Sequence, residues 1–272
     1  MMKRTIAIIA GLLMLCTSSH AFQAKEIMVR SESMNKDIPV TVVTPDGYKK
    51  GKEFPVVYLI HGHGDNHKSW SQGGVVGKLA DQYNVIVVMP DGADSWYFDS
   101  PMMPEYKYET FVTKELLNHI DSNYKTIKDR KGRAITGQSM GGHGAMYLAI
   151  RNQELFGIVG ALSGGVDIRP FPKNWDLAKK LGTIEEYPEN WEKHTVINLT
   201  TMLEPGSLNI VIDCGTSDFF YGVNCALHDK LLKEGIPHDF FARPGGHTWG
   251  YWMNSIKYLF LYFNDRFEAA RQ

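Results

Sequence analysis

The stretch that most constrains this chain is Gly137-Gln138-Ser139-Met140-Gly141. Arg133-Ala134-Ile135-Thr136 before it reads as a short buried strand, and Gly142 to Ile150 after it, rich in small residues, reads as a helix. A serine with glycines two residues to either side, on a sharp strand-to-helix turn, has the setting of a nucleophile elbow. Such a turn holds the serine in a strained backbone conformation. The glycines leave room where a side chain would collide with neighbouring backbone. The turn lifts the Ser139 hydroxyl above a sheet edge and sets the Met140 N–H at a helix start, where free N–H groups and the helix dipole favour an oxyanion.

An elbow of this kind needs a sheet around it, and the chain supplies one. Glu26 to Arg30 and Ile38 to Thr44 read as an antiparallel hairpin at one sheet edge. Pro55 to Ile60 and Val85 to Met89 are continuous apolar runs, the pattern of strands buried on both faces. Gly157 to Leu162, Leu208 to Asp213 and His238 to Ala242 continue the series. Helices are expected over Trp70 to Gln82, Glu105 to Asn123, Val223 to Glu234 and Tyr251 to Phe267. Strands alternating with helices give an α/β fold, a mostly parallel sheet covered on both faces. Residues 164–206 break that rhythm with prolines, two tryptophans and weak helical patches, and read as a cap-like insert between late strands. No repeat, linker or low-complexity tract divides residues 22–272, so one domain is expected there.

Residues 1–21 have the form of an export signal. Lys3 and Arg4 precede an apolar run from Ile6 to Cys16, and Ser19-His20-Ala21 places small residues where a signal peptidase reads them. Cleavage after Ala21, and a secreted or periplasmic location, are expected. Leu15 before Cys16 is too bulky for a lipoprotein signal. With Lys3 and Arg4 removed, the 29 basic and 30 acidic residues become 27 and 30, a net charge of −3. That balance gives no basic surface for nucleic acid, and no later stretch is apolar enough to cross a bilayer. The spacing of Cys214 and Cys225 leaves a disulfide open, with free thiols the preferred reading.

A serine hydroxyl needs a base, and the base needs an orienting acid. In a sheet of this kind the partners follow in the order serine, acid, histidine, on loops at the carboxyl ends of later strands. His247, in Pro244-Gly245-Gly246-His247-Thr248-Trp249, directly follows the last strand and is the candidate base. His228 sits inside a helix and His238 at a strand start. Asp218, in the loop after the strand ending near Cys214, is the candidate acid; Asp213 is its rival but lies within or at the very end of that strand. The second oxyanion donor, beside the Met140 N–H, is assigned to the His63 N–H in the loop after Ile60. No cofactor is called for. A rival reading takes His61, His63, Asp65 and His67 as metal ligands, but Asn66 displaces Asp65 from His67 and breaks the zinc pattern it approaches.

Four segments together resemble the esterase D-like branch of the α/β-hydrolases, which includes tributyrin, feruloyl and acetylxylan esterases, S-formylglutathione hydrolases and mycolyltransferases. They are Leu59 to Asn66, Gly137 to Gly142, Asp213 to Phe219 and Pro244 to Trp249, and the resemblance spans essentially all of residues 22–272. It implies an α/β-hydrolase fold, a serine esterase activity, and roles for Ser139, Asp218, His247, His63 and Met140 that coincide with those argued from the residues. It also places Trp96-Tyr97-Phe98-Asp99 beside the site. With Trp175, Phe219, Phe220 and Trp249 these make the expected substrate contacts, while Trp191 is expected to pack the insert. An aromatic pocket with few basic residues suits short acyl or hydroxycinnamoyl esters of sugars or polysaccharides. The alternatives are acyl transfer to a carbohydrate hydroxyl and a non-catalytic carbohydrate-binding protein on the same scaffold; an intact Ser-Asp-His set argues against the second.

Overall fold

The computed structural model describes residues 22–48 and 52–271, so the expected export signal lies outside the described residues. Eight strands form one sheet in the order β1-β2-β4-β3-β5-β6-β7-β8. β1 (Gln23–Ser31) and β2 (Lys36–Thr44) make the antiparallel hairpin at one edge, and β2 lies antiparallel to β4 (Ile86–Pro90). β3 (Val56–Ile60), β5 (Arg133–Gln138), β6 (Ile158–Leu162), β7 (Asn209–Gly215) and β8 (His238–Arg243) run parallel, with β4 parallel to β3. This is the α/β-hydrolase fold.

The helices follow in chain order. α1 is Val75–Tyr83, and α2 (Tyr108–Thr110) continues through a π turn at Phe111–Leu116 into α3 (Leu117–Asn123). α4 is Met140–Arg151; α5 (Leu177–Leu181), α6 (Pro188–His194) and α7 (Val196–Leu199) lie in the insert; α8 is Tyr221–Lys233 and α9 Trp249–Ala269. The sheet separates two apolar layers because alternate strand residues point to opposite faces. Val56, Tyr58 and Ile60 join the layer under α4 and the insert, while Val57 and Leu59 join the layer under α1 and α9. The insert packs on the first layer through Leu177, Leu181 and Trp191, whose indole N–H donates to the Gly182 carbonyl at 2.9 Å.

Three elements differ from the sequence reading. The helix expected from Trp70 is broken, because Gln72 is extended and Gly73 and Gly74 have positive φ, so α1 begins only at Val75. The helix expected from Glu105 begins at Tyr108, after a bridge between Asp99 and Lys107. β7 runs two residues past Asp213, to Gly215. Both Cys214 and Cys225 are free thiols. Among the described residues no helix is long and apolar enough to cross a membrane.

Candidate active site

The turn between β5 and α4 has the strain its sequence demands. Ser139 sits at φ 57° and ψ −118°, a backbone conformation that costs free energy for a residue with a side chain. Neighbouring backbone holds it there: its N–H donates to the Leu162 carbonyl at 2.9 Å, and its carbonyl accepts from the His143 N–H at 3.0 Å and the Gly165 N–H at 3.3 Å. The glycines are needed because the end of β3 passes directly against them. A Cβ on Gly141 would lie 2.5 Å from the Ile60 oxygen and 2.7 Å from the His61 oxygen, and one on Gly137 would collide with the Ile60 oxygen as well.

Backbone pairing between β7 and β8 persists beyond both strands. The Thr216 N–H donates to the Arg243 carbonyl at 2.9 Å and the Ser217 N–H to the Gly245 carbonyl at 2.8 Å. Gly215 makes this approach possible, since a Cβ there would strike the Gly245 carbonyl. The two loops therefore leave the sheet side by side, and Asp218 and His247 meet over Ser139. His247 Nε2 lies 2.9 Å from Ser139 Oγ, and His247 Nδ1 lies 2.9 Å from Asp218 Oδ2 and 3.1 Å from Oδ1. Asp218 Oδ1 also accepts from the Phe220 N–H at 2.8 Å, and the carboxylate is shielded from water. Trp252 and Phe220 stand nearly perpendicular to the imidazole and Phe219 lies tilted against it, with ring centroids 4.2 Å apart. The arrangement fixes the Nδ1–H tautomer and leaves Nε2 free to take a proton from the hydroxyl.

Asp213 is placed quite differently. It is fully buried within β7, paired to Arg243, and accepts from Tyr251 Oη at 2.6 Å and Ser255 Oγ at 3.1 Å. Burial pushes its pKa up, against the pull of these donors and of the Arg243 charge. His228 and His238 are bonded to each other, Nδ1 to Nε2 at 2.7 Å, with His228 stacked on Phe240.

On the other side of Ser139, Met140 is the first residue of α4, so its N–H has no acceptor within the helix. The loop after β3 packs on the Ser139 turn at Gly62, and Gly62 and His63 both line the cleft over Ser139. The four side chains considered as metal ligands do not converge on one point, although His61 and His67 both lie 3.6 Å from the Asp91 carboxylate. His61 Nδ1 meets the Gly62 carbonyl at 2.7 Å and Nε2 accepts from the Gly92 N–H at 2.8 Å. His63 Nε2 lies 3.7 Å from Asp94. Asp65 accepts from Ser69 Oγ at 3.2 Å and from Gln138 Nε2 at 3.0 Å, and burial raises its pKa. His67 lies between Glu26 and Asp91, 3.6 Å from each. Among the described residues no group of His, Cys, Asp and Glu converges as metal ligands.

An open cleft of about 460 Å³ lies over Ser139, lined by Gly62, His63, Trp175, Phe219, His247 and Trp249 among others. Trp175 stacks on Phe219 with ring centroids 6.0 Å apart. Of the expected substrate contacts, Trp175, Phe219 and Trp249 line the cleft, and the others do not. Trp96, Tyr97 and Phe98 are buried in the core: Trp96 packs on His143, Tyr97 Oη donates to the His61 carbonyl at 3.0 Å, and Phe98 packs among His143, Tyr147 and His194. Asp99 accepts from the Thr110 N–H and hydroxyl, at 2.9 and 2.6 Å. Phe220 is buried behind Phe219. Trp252, three residues after Trp249 on the first turn of α9, lines the cleft without having been singled out; that helical spacing was the available signal.

The profile of the Esterase family, described as "Putative esterase", matches residues 31–259. The chain belongs to this family. The esterase is 30% identical over 217 residues to an acetyl esterase of Caldicellulosiruptor saccharolyticus, covering 75% of this chain and 81% of that protein. It is 36% identical over 155 residues to an endo-1,4-beta-xylanase/feruloyl esterase of Xylanibacter ruminicola, covering 52% of this chain but only 21% of that much longer protein. The solved structure of a ferulic acid esterase superposes with a TM-score of 0.78 at 28% identity, over 90% of this chain and 99% of that one. The protein is a carboxylic ester hydrolase.

Proposed function

We propose that this esterase is a serine hydrolase in which Ser139 is the nucleophile, His247 the base, and Asp218 the group that orients the base. The observation that carries this reading is the position of one imidazole, 2.9 Å from Ser139 Oγ on one nitrogen and 2.9 Å from a buried carboxylate oxygen on the other. Ser139 Oγ attacks the ester carbonyl while its proton passes to His247 Nε2. The carbonyl oxygen becomes an oxyanion, for which the Met140 and His63 N–H groups are the assigned donors. Collapse breaks the ester bond, and His247 returns the proton to the departing alkoxide, leaving an acyl group on Ser139. Water, deprotonated by the same nitrogen, then attacks the acyl carbonyl, releasing the acid and restoring Ser139.

For the substrate, the cleft supports short acyl or hydroxycinnamoyl esters of sugars. It is open, its walls include Trp175, Phe219 and Trp249, and no lysine or arginine lines it. The relatives named acetyl esterase and feruloyl esterase agree with this. We further propose that residues 22–272 work as one domain after an export signal is removed near Ala21, which puts the enzyme where polysaccharide esters are found. The test is kcat/KM across an acyl-length series and on methyl ferulate, for the native enzyme and for Trp175→Ala. We expect turnover of acetyl, butyryl or feruloyl esters, little on long-chain glycerides, no effect of a chelator, and a KM for aromatic esters raised by about tenfold in Trp175→Ala, about what loss of one aromatic contact costs. A preference rising steadily with chain length, with no turnover of the short or feruloyl esters, would overturn the substrate class.

A further inference from the structure

Two oxyanion donors on separate chain segments must be held at the spacing of a single oxygen atom, because a hydrogen bond weakens steeply with small errors in distance and angle. Here one donor belongs to α4 and the other to the loop after β3, and the sheet does not fix that loop once it has left β3. Beyond the approach of the His61 carbonyl to Gly141, two contacts nearer His63 tie it to the Ser139 turn. Gly62 lies directly on the turn: a Cβ there would be 3.0 Å from Gln138 Nε2 and 3.3 Å from Ser139 Cβ. The other is a side-chain bond, Gln138 Nε2 donating to Asp65 Oδ2 at 3.0 Å. Asp65 is anchored in turn, since its Oδ1 accepts from Ser69 Oγ at 3.2 Å, and Ser69 Oγ accepts from the Asn66 N–H at 3.2 Å. His63 lies between Gly62 and Asp65, so it is fixed on both sides.

Gln138 is fully buried, and its Oε1 has no hydrogen-bond partner among the described residues. An unpaired buried carbonyl is destabilising, and an apolar side chain of the same size would fill the space without that penalty. What the glutamine gains in return is the bond to Asp65. We propose that Asp65 and Gln138 form a strap that holds the His63 N–H in register with the Met140 N–H, making both of them positioning residues for ester hydrolysis. The proposal rests on the reading of Ser139 as nucleophile. Asp65 and Gln138 both border the cleft over Ser139, but they are bonded to each other and not to Ser139 or His247, so the strap acts through His63. The oxyanion is full only in the transition state, so loss of the strap falls on kcat and spares KM.

The experiment measures kcat, KM and Tm on a short nitrophenyl ester for Gln138→Leu, Gln138→Glu, and Gln138→Glu combined with Asp65→Asn, with Ser139→Ala as control. We expect Gln138→Leu to lower kcat by about 10- to 100-fold, somewhat below the loss of a whole oxyanion donor, with KM changed by less than about twofold and Tm not lowered. Gln138→Glu sets two carboxylates against each other and lowers kcat at least as far. Adding Asp65→Asn supplies an amide donor to the new carboxylate and restores kcat to within about threefold of the native enzyme, the rescue that a pairwise interaction requires. Should Gln138→Glu fail to fold, Gln138→Leu alone decides through the split between kcat and KM. A native kcat in Gln138→Leu, or losses of kcat that track Tm and are not restored by the exchange, would overturn the strap. An active Ser139→Ala would overturn the nucleophile reading itself, whatever the strap variants do.

Discussion

On the β7–β8 side of the cleft, the main chain does the positioning. The ladder between these strands continues through Thr216 and Ser217 beyond the sheet, Gly215 lies against Gly245, and Asp218 and His247 emerge from two loops that are hydrogen-bonded to each other. On the β3–β5 side, side chains do it. The loop with His63 leaves β3 without a backbone ladder to the Ser139 turn; it meets the turn through the Gly62 contact and the Asp65–Gln138 bond, and is held from behind by Tyr97 Oη on the His61 carbonyl and Asp94 on the Gly64 N–H. The first construction is insensitive to which side chains occupy its loop, apart from those that do chemistry. The second depends on particular side chains, Asp65 and Gln138 among them.

The largest expected effect is internal to the first side, where Asp213 and Asp218 lie five residues apart. Asp218→Asn should lower kcat by ~10³- to 10⁴-fold with the fold intact, because the amide can still accept from the Phe220 N–H but no longer enforces the Nδ1–H tautomer of His247. Asp213→Asn should leave kcat within about tenfold but remove about 3 kcal/mol of stability, since it leaves Arg243 without its buried partner. Steady-state kinetics and urea unfolding on both variants decide this, and the reverse pattern would mean that the acid has been misplaced.

Behind the Ser139 turn, burial pushes the His143 pKa down to about 4, although its Nδ1–H donates to the Gly165 carbonyl at 2.8 Å. The folded chain therefore resists a proton that the unfolded chain accepts at an ordinary histidine pKa near 6.5. The stability this provides is complete above that value and is lost as pH falls towards 4, by about 3 kcal/mol in all. Urea unfolding between pH 7 and pH 4 should show the fall, and His143→Leu should flatten it; an unchanged slope in the variant would show that other groups are responsible. Smallest of all is Ser217→Ala. Ser217 contributes only its main chain to the ladder, its side chain is exposed, and kcat should stay within about twofold of native. A large loss there would erase the distinction between the two sides.

What could be read from the sequence followed from the same distinction. Strand ends are marked by apolar runs meeting Gly and Asp, so the convergence of Ser139, Asp218 and His247 on one edge of the sheet followed from chain order. The placement of Asp213 inside β7 could be read in the same way. The aromatic run Trp96-Tyr97-Phe98 could not. It looks like a pocket wall, but Trp96 and Tyr97 both adopt positive φ, at 57° and 61°, and turn into the core. Tyr97 fills the space left by Gly92 and Gly144, where a Cβ would meet its ring. Each of those glycines is visible in the sequence, but their shared neighbour is a product of tertiary packing. Asp65 suffered from a louder local pattern: surrounded by histidines it suggested a metal ligand, whereas its partner is Gln138, seventy-three residues away.

The central claim is that acyl transfer passes through Ser139, and trapping the acyl group tests it most directly. The enzyme would be mixed with a short nitrophenyl ester, quenched in acid within a turnover, digested, and its peptides mapped by mass spectrometry. We expect one acyl group, on the peptide containing Ser139, and neither acylation nor turnover in Ser139→Ala. An acyl group on another residue, or full turnover by Ser139→Ala, would contradict the account.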